Sequence, residues 1–176
     1  MKEQGRPKVA ILMGSDSDLP VMAESARVLE RLGVPYEIEI TSAHRSPDRT
    51  AEIVRQAPAR GIRVFVVGAG GAAHLAGAVA AHTTLPVLGV PLASSDLQGL
   101  DALLSTVQMP AGVPVGALAI GKAGAANAAI LAAEILALSD AGLAARLSAE
   151  REAMEAKVRA ASEGARGKIA SLLDRS

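Results

Sequence analysis

The sequence predicts an α/β fold in which helices cover both faces of an open parallel sheet. Short apolar runs alternate with helical patterns up to about residue 138, and this order is typical of such sheets. Most of the runs are continuous rather than alternating, which indicates strands that are buried on both faces. The 176 residues, half of them hydrophobic, are enough for one domain with a proper core.

Five strands are expected. The first is a near-continuous apolar run that ends at Gly14. The second alternates, with Tyr36, Ile38 and Ile40 on one face, and this pattern favours a more exposed position at the edge of the sheet. The five expected strands cover residues 8–14, 36–41, 63–70, 85–91 and 114–121.

Helices are expected between the strands. The first spans about 18–32 and stops at Gly33, because glycine commonly ends helices. The second starts with Ser46 as its N-cap and Pro47 at the first helical position, and it ends near Gly61. Further helices are expected after the "GAGG" of 68–71, over about 97–107 and from about 122 onward.

The long helix over 123–138 is apolar nearly all round. It is shorter than the roughly 20 residues that a membrane span needs and contains Glu134, so burial in protein is the better interpretation. Burial on every side indicates that another subunit covers part of this helix. Residues 141–173 are charged and helix-prone, and they predict a C-terminal helical arm that either frays on the surface or packs on a neighbouring subunit. The chain 1–176 is expected to be one domain with its core over about 8–138.

Composition argues against several classes of partner. The formal net charge is zero, and one Phe, one Tyr and no Trp leave no aromatic platform for nucleic-acid bases. The chain has no cysteine, so disulfides and thiolate metal sites are excluded and a reducing cytoplasm is compatible. The first eight residues lack the apolar core of a signal peptide. We therefore expect no nucleic-acid or membrane partner and a cytoplasmic location.

Candidate functional residues gather in three loops. In open α/β sheets, ligands bind beyond the carboxyl ends of the strands. The first three strands are followed by "GSDSD" (14–18), "SAHRS" (42–46) and "GAGGAAH" (68–74). If the first strand lies between the second and the third, as in flavodoxin-like sheets, these loops are neighbours. They would then bring to one cleft Ser15, Ser17, Asp18, Ser42, His44, Arg45, Gly70, Gly71 and His74.

These residue types suit a small phosphorylated ligand. Helix N-termini, serine hydroxyls and the guanidinium of Arg45 all bind phosphate oxygens. The carboxylate of Asp18 would accept hydrogen bonds from sugar hydroxyls, and the glycines would allow a close approach of the backbone. His44 is the candidate general acid or base, because histidine ordinarily exchanges protons near neutral pH.

Each of these residues also has an ordinary structural explanation. Serine and aspartate before a helix are more often caps than ligands, which applies to Ser17 and Asp18. A single loop histidine such as His44 is more often solvated than catalytic, and spacing leaves the role of His74 undecided. The three histidines lack metal-ligand spacing and no carboxylate pair accompanies them, so no metal site is expected.

Two nucleotide-binding patterns are incomplete. "GAGGAA" (68–73) fits the dinucleotide fingerprint, but the next strand is followed by no acidic residue before Asp96. "GALAIGKA" (116–123) fits the phosphate-loop pattern except that Ala123 stands where serine or threonine would hold magnesium. Its four middle residues also read as a strand. The sequence therefore argues against a dinucleotide-dependent enzyme and a nucleoside triphosphatase.

The three loops, with "LPVLGVP" (85–91) and "VQMPAGVPVGALAIGKAGAANAAILAA" (107–133), closely resemble class I N5-carboxyaminoimidazole ribonucleotide mutases of purine biosynthesis. The resemblance extends from about Val9 to Leu138. It implies a flavodoxin-like three-layer sandwich, assembled as a homo-octamer with active sites completed at subunit contacts. It also implies an isomerase that moves a carboxylate from the exocyclic nitrogen of the ribonucleotide to ring carbon C4. No metal, nucleotide or organic cofactor is implied.

The resemblance assigns roles to individual residues. His44 would be the catalytic residue and Arg45 a phosphate ligand, and arginine rather than lysine after the histidine favours the mutase over the related carboxylase. Leu19 stands where many members carry tryptophan, which is expected to loosen the first loop. The other implied substrate contacts are Ser15, Ser17, Asp18 and Ser42 for phosphate and ribose, and Gly70, Gly71, Ala72 and His74 for the base and its carboxylate.

Two alternatives stay open at this point. A carboxylase would use free carbon dioxide and the uncarboxylated ribonucleotide. A sensor of phosphorylated metabolites would use the same cleft without turnover.

Overall fold

The computed structural model describes residues 5–173, without the side chains of 166, 167, 170 and 171; the polar start and the last three residues of the expected domain lie outside the described residues. Its sheet has five strands: Val9–Met13 (β1), Tyr36–Ile40 (β2), Val64–Gly70 (β3), Val87–Leu92 (β4) and Gly116–Ala117 (β5). All neighbours pair in parallel, in the order β2-β1-β3-β4-β5. This is the flavodoxin-like order, so the predicted fold class is confirmed.

Helices cover both faces of the sheet. A 3₁₀ turn over Asp16–Asp18 leads into the first α-helix, and the second ends at Gly61, whose φ of 105° is the left-handed conformation of a glycine stop. The helices are Leu19–Arg31 (α1), Pro47–Arg60 (α2), Leu75–Ala80 (α3), Leu100–Val107 (α4), Lys122–Ala137 (α5) and Ala141–Leu173 (α6).

The core has one layer on each side of the sheet. On one side, α2, α3 and α4 contribute Val54, Val79 and Ala102 to a buried cluster around Phe65. On the other side, α1 packs against α5, and the buried hydroxyl of Ser25 donates to the carbonyl of Ala125 at 2.7 Å. The sheet is therefore the middle layer of three.

The edge strand β2 alternates as predicted. Glu37 and Glu39 form ion pairs with Arg60 and Arg49 of α2, at 2.7 and 2.9 Å. On the opposite face, the isoleucines of this strand are only partly covered. The alternation therefore reflects a strand that is buried less completely than its neighbours.

The last strand is shorter than predicted. It pairs with β4 at Gly116 and Ala117 only. Beyond these residues, the amide of Gly121 still donates to the carbonyl of Pro91. The backbone nitrogen of Pro91 faces the same side as this carbonyl, but proline has no amide hydrogen to donate there. The regular ladder ends because Pro91 has no donor to continue it.

The helix α5 buries one face, not its whole surface. Its buried residues are small, and on the other face Ile130 and Leu131 are only half-buried. The single chain thus leaves part of this helix uncovered, and its cover by another subunit stays a prediction. Among residues 5–173, no helix has both the length and the apolarity to span a membrane.

The chain divides into two compact units, which part between Leu136 and Ala137. The second unit contains α6, which runs without a break through Gly164. Its apolar side chains Met154 and Val158 are exposed.

Small residues set the distance between α5 and the chain before it. A Cβ atom at Gly124 would collide with the backbone oxygen of Ala119. We expect Gly124→Ala to destabilise the fold by about 1–3 kcal/mol or more, because a backbone atom must move. Urea unfolding measures this change. Gly164→Ala is the control, since nothing lies within 4 Å of its Cβ position, and it should be neutral or stabilising by up to about 1 kcal/mol. An unchanged free energy of unfolding in Gly124→Ala would contradict the packing.

Candidate active site

A cleft of about 290 Å³ lies at the carboxyl ends of β1, β2 and β3. The three loops meet there because β1 lies between the other two strands. Of the residues expected to bind or react with a ligand, those that line the cleft are Ser15, Ser17, Asp18, Ser42, His44, Arg45, Gly70, Ala72 and His74. Gly71 is not in the lining; its φ of 58° marks it as the turn residue of the third loop.

The loop after β1 is held by a reciprocal cap. The hydroxyl of Ser15 accepts from the amide of Ser17 at 3.3 Å, and the carboxylate of Asp18 accepts from the amide of Ser15 at 3.1 Å. The hydroxyl of Ser17 donates to that of Ser15 at 2.9 Å. Ser15 and Asp18 therefore do act as caps, and this capping fixes them at the wall of the cleft.

Asp18 is buried, with only 8% of its surface exposed. This burial raises its pKa above the ordinary value, and the negative charge of Asp16 acts in the same direction. The amides of Ser15 and Gly14 and the guanidinium of Arg45 lower the pKa, but by less. A buried carboxylate at the cleft wall therefore costs stability when it is ionised.

The loop after β2 is locked by two serines. The amide of Ser46 donates to the carbonyl of Ser42 at 2.9 Å, and the amide of Ser42 donates to the hydroxyl of Ser46 at 3.1 Å. The hydroxyl of Ser42 accepts from the amide of Arg45, also at 3.1 Å. Ser46 occupies the N-cap position of α2, but its hydroxyl turns back to Ser42 and caps nothing in the helix.

The guanidinium of Arg45 links two strand ends. It donates through Nη2 to the carbonyl of Gly14, at the end of β1, at 2.8 Å. The side chain is otherwise exposed to the cleft. A guanidinium held in this way keeps further donors available for an anion beside the first loop.

The two histidines of the cleft contact each other. Nε2 of His44 lies 2.7 Å from Nδ1 of His74, and the rings meet edge to face with centroids 4.9 Å apart. A hydrogen bond of this kind holds one proton between the two nitrogens, so the tautomer of one ring fixes that of the other. Spacing left open whether His74 lines the site. The structure places its ring in the cleft, in contact with His44.

Ser94 also lines the cleft, from the loop after β4, and it is not among the residues predicted from the sequence. A Cβ atom at Gly70 would overlap the side chain of Ser94, so the glycine makes room for this serine. The rule that ligands bind beyond strand ends applies to β4 as well, and "LASSD" (92–96) follows that strand. Extending the rule to the fourth loop would have found it.

No metal centre is found in the part of the chain that the structure describes. No three His, Cys, Asp or Glu side chains cluster there so that they would hold an ion.

Comparison with known proteins gives matches over most of the chain. A family model described as AIR carboxylase matches residues 8–157. A Brucella melitensis protein named N5-carboxyaminoimidazole ribonucleotide mutase is 57% identical over 150 residues, covering 85% of this chain and 93% of that protein. Proteins of the same name from Haemophilus influenzae and Pyrococcus horikoshii are 55% and 60% identical and cover 82% and 74% of this chain, and 88% and 73% of their own lengths.

Two crystal structures have a similar fold. A point variant of Treponema denticola PurE2 superposes with a TM-score of 0.82 at 28% identity and covers 90% of this chain and 98% of that one. Treponema denticola PurE superposes with a TM-score of 0.78 at 30% identity and covers 87% and 94%.

The raised pKa of Asp18 predicts a pH-dependent stability. The folded state holds the proton more tightly than the unfolded state, where the ordinary value is 3.8, so stability falls as pH rises above 3.8 through the folded pKa. We expect Asp18→Asn, which still accepts from the amide of Ser15, to unfold at a higher temperature than the wild type at pH 7. The difference should disappear below pH 3.8, where the wild-type carboxyl is protonated in both states. Thermal unfolding across pH measures it, and an equal difference at both ends of the range would contradict the origin in ionisation.

Proposed function

The chain belongs to the AIR carboxylase family, and from that premise we propose that the cleft around His44 is the active site of a carboxylate transfer. The activity is that of an N5-carboxyaminoimidazole ribonucleotide mutase. It is an isomerisation in purine biosynthesis that moves the carboxylate from the exocyclic nitrogen to ring carbon C4. The observation that supports this assignment is that His44, Arg45, Ser15 and Ser17 line a single cleft.

The phosphate of the ribonucleotide binds at the β1 and β2 side of the cleft. Arg45 supplies the cation there. The hydroxyls of Ser15 and Ser17 line the same end of the cleft, and they would exchange their present acceptors, Asp16 and Ser15, for phosphate oxygens when the ligand binds. Ser42 is close to the same guanidinium, at 3.5 Å from Nε. The phosphate is held at this end of the cleft, so the base of the ribonucleotide extends toward the histidines.

The ribose and the base fill the rest of the cleft. The carboxylate of Asp18 accepts from the sugar hydroxyls while its other hydrogen bonds hold it in place. The backbone of Gly70 and Ala72 and the ring of His74 surround the base and its carboxylate, and Gly71 contributes the turn between Gly70 and Ala72.

The chemistry balances without an external reagent. The bond between the carbamate nitrogen and the carboxyl carbon breaks, and the nitrogen gains a proton. The released carbon dioxide forms a bond to C4, and C4 loses its proton. His44 gives one proton and takes the other, so it returns to its starting state. No electron or phosphoryl group is exchanged, which is why we propose that no cofactor takes part.

The reaction depends on holding the released carbon dioxide beside C4. Positioning of this kind raises the effective concentration of the two partners by several orders of magnitude, about 10⁵ M or more in well-oriented systems. The hydrogen bond of 2.7 Å between His44 and His74 supports a further role for the second ring, which stores the proton that His44 exchanges.

The protein acts in the cytoplasm as a homo-octamer, as we further propose. A phosphorylated substrate does not cross membranes and is used where it is made. Self-association is supported by an apolar stripe that leads into α4 and continues along it, and whose side chains are about half exposed or more: Leu97, Leu100, Leu104 and Val107. The isoleucines of β2 and the half-buried face of α5 add to the uncovered apolar surface.

A direct assay tests the activity against its alternatives. The carbamate substrate is supplied, and formation of the C-carboxylated product is followed without added bicarbonate. Conversion under these conditions is the expected result. A requirement for bicarbonate with the uncarboxylated ribonucleotide would identify a carboxylase, and binding without any turnover would identify a sensor.

Replacing His44 tests its place in the mechanism. We expect His44→Asn to lower kcat by at least about 10²–10⁴-fold, because the proton exchange is lost, while substrate binding stays near that of the wild type. His82→Asn is the matched control, since His82 does not line the cleft. Steady-state kinetics and calorimetric binding give the two quantities. Near-normal turnover of His44→Asn would refute the assignment.

A charge on the apolar stripe tests the assembly. We expect the wild type to have the mass of eight chains in light scattering, and Leu104→Glu to shift this mass toward smaller species, because a carboxylate cannot be buried in an apolar contact without a partner. Thr84→Glu places the same charge on an exposed loop and should leave the mass unchanged. A monomeric wild type would exclude the proposed octamer.

A further inference from the structure

The loop between β4 and α4 adds a fourth wall to the cleft. We propose that the hydroxyl of Ser94 in this loop donates a hydrogen bond to the carboxylate that the enzyme transfers. The inference rests on the proposed function, since it concerns the same cleft and the same substrate.

Two adjacent serines of this loop have different surroundings. The hydroxyl of Ser95 donates to the carboxylate of Asp101 at 2.7 Å, and this bond holds the pKa of Asp101 below its ordinary value. The hydroxyl of Ser94 lines the cleft, and no residue within 5–173 makes a hydrogen bond with it. Its proton is therefore available to a ligand, whereas the hydroxyl of Ser17 already donates to Ser15.

The position of Ser94 is fixed by its packing on β3. The hydroxyl occupies the space that a side chain at Gly70 would fill, so the strand end and the serine are in direct contact. The amide of Ser94 donates to the carbonyl of Leu92 at 3.1 Å, which forms the turn at the end of β4. The side chain of Ser94 thus fills the space beside Gly70, and these contacts fix the position of its hydroxyl.

The order of the strands gives an approximate distance across the cleft. Neighbouring strands lie about 4.8 Å apart, so the end of β4 is about 10 Å from the end of β1. The phosphate binds at β1 and β2, beside Arg45. The opposite end of the substrate, the heterocycle with its carboxylate, therefore extends toward β3 and β4. A hydroxyl donor at that end matches the acceptor oxygens of a carboxylate.

A binding comparison tests the contact. The affinities of two ribonucleotides are measured by calorimetry, the C-carboxylated product and the uncarboxylated aminoimidazole ribonucleotide. We expect Ser94→Ala to bind the product about tenfold more weakly or worse, as for a lost hydrogen bond to a charged group. Binding of the uncarboxylated ribonucleotide should change by less than about twofold, because it lacks the acceptor. Equal weakening of both ligands, or of neither, would overturn the proposal.

Ser95 provides a control for the possibility that a substitution acts by displacing the loop. Ser95→Ala removes a hydroxyl one residue away, outside the cleft, and should leave the ratio of the two affinities unchanged even where it lowers the unfolding temperature. Ser94→Cys keeps the branching of the side chain, with a somewhat larger sulfur atom, and replaces the hydroxyl with a weak donor, so it should shift the ratio in the direction of Ser94→Ala. This variant keeps the test valid where the alanine variant does not fold.

The fate of the carboxylate gives a second readout. In Ser94→Ala, more of the carbamate should end as free carbon dioxide and uncarboxylated ribonucleotide, and less as the C-carboxylated product. An unchanged partition with active enzyme would overturn the role of Ser94 and leave the mutase activity intact. Absence of any product from the wild-type protein would instead refute the proposed function itself.

Discussion

The position of β1 between β2 and β3 is the constraint on which the site depends. Parallel strands place their carboxyl ends at one edge, so the sheet order alone decides which loops become neighbours. Arg45 reaches the carbonyl of Gly14 because β2 lies beside β1, and the rings of His44 and His74 meet across the end of β1. A different strand order would leave every one of these residues in place in the sequence and separate them in space.

Within that order, the loops are held by hydrogen bonds that their own residues supply. Ser42 and Ser46 close a turn on each other, and Ser15 and Asp18 close the reciprocal cap of the first loop. Such local bonds fix side chains near a ligand before the ligand binds, which reduces the entropy lost on binding. Holding Asp18 in the first loop costs stability, because burial disfavours the charged form of its carboxyl group. A carboxylate kept there against its own desolvation is typical of a functional site.

Local patterns were sufficient for most of the fold, and the remaining features depended on tertiary contacts. The apolar runs predicted the strands, and the alternation within 36–40 predicted the edge position of β2. The length of β5 was not predictable from its own residues, because it is limited by Pro91 in the neighbouring strand. The contact of His44 with His74 also joins residues thirty positions apart, and it depends on the strand order together with the turn after β3. Ser94 was within reach of the sequence, because "LASSD" follows β4 just as the three predicted loops follow β1, β2 and β3.

The proposed chemistry and the proposed assembly would depend on each other. In the single chain, His44, Arg45 and His74 are exposed and the cleft is open to water. Carbon dioxide released into an open cleft can escape before a new bond to C4 forms, so covering the cleft would favour the transfer. A ribonucleotide bound as proposed would cover part of it with its phosphate and ribose. The uncovered apolar stripe of α4 begins directly after the loop of Ser94, which forms the fourth wall. A neighbouring copy seated on that stripe would therefore border the cleft on the side where the carboxylate is transferred, and it would exclude water where the reaction requires it.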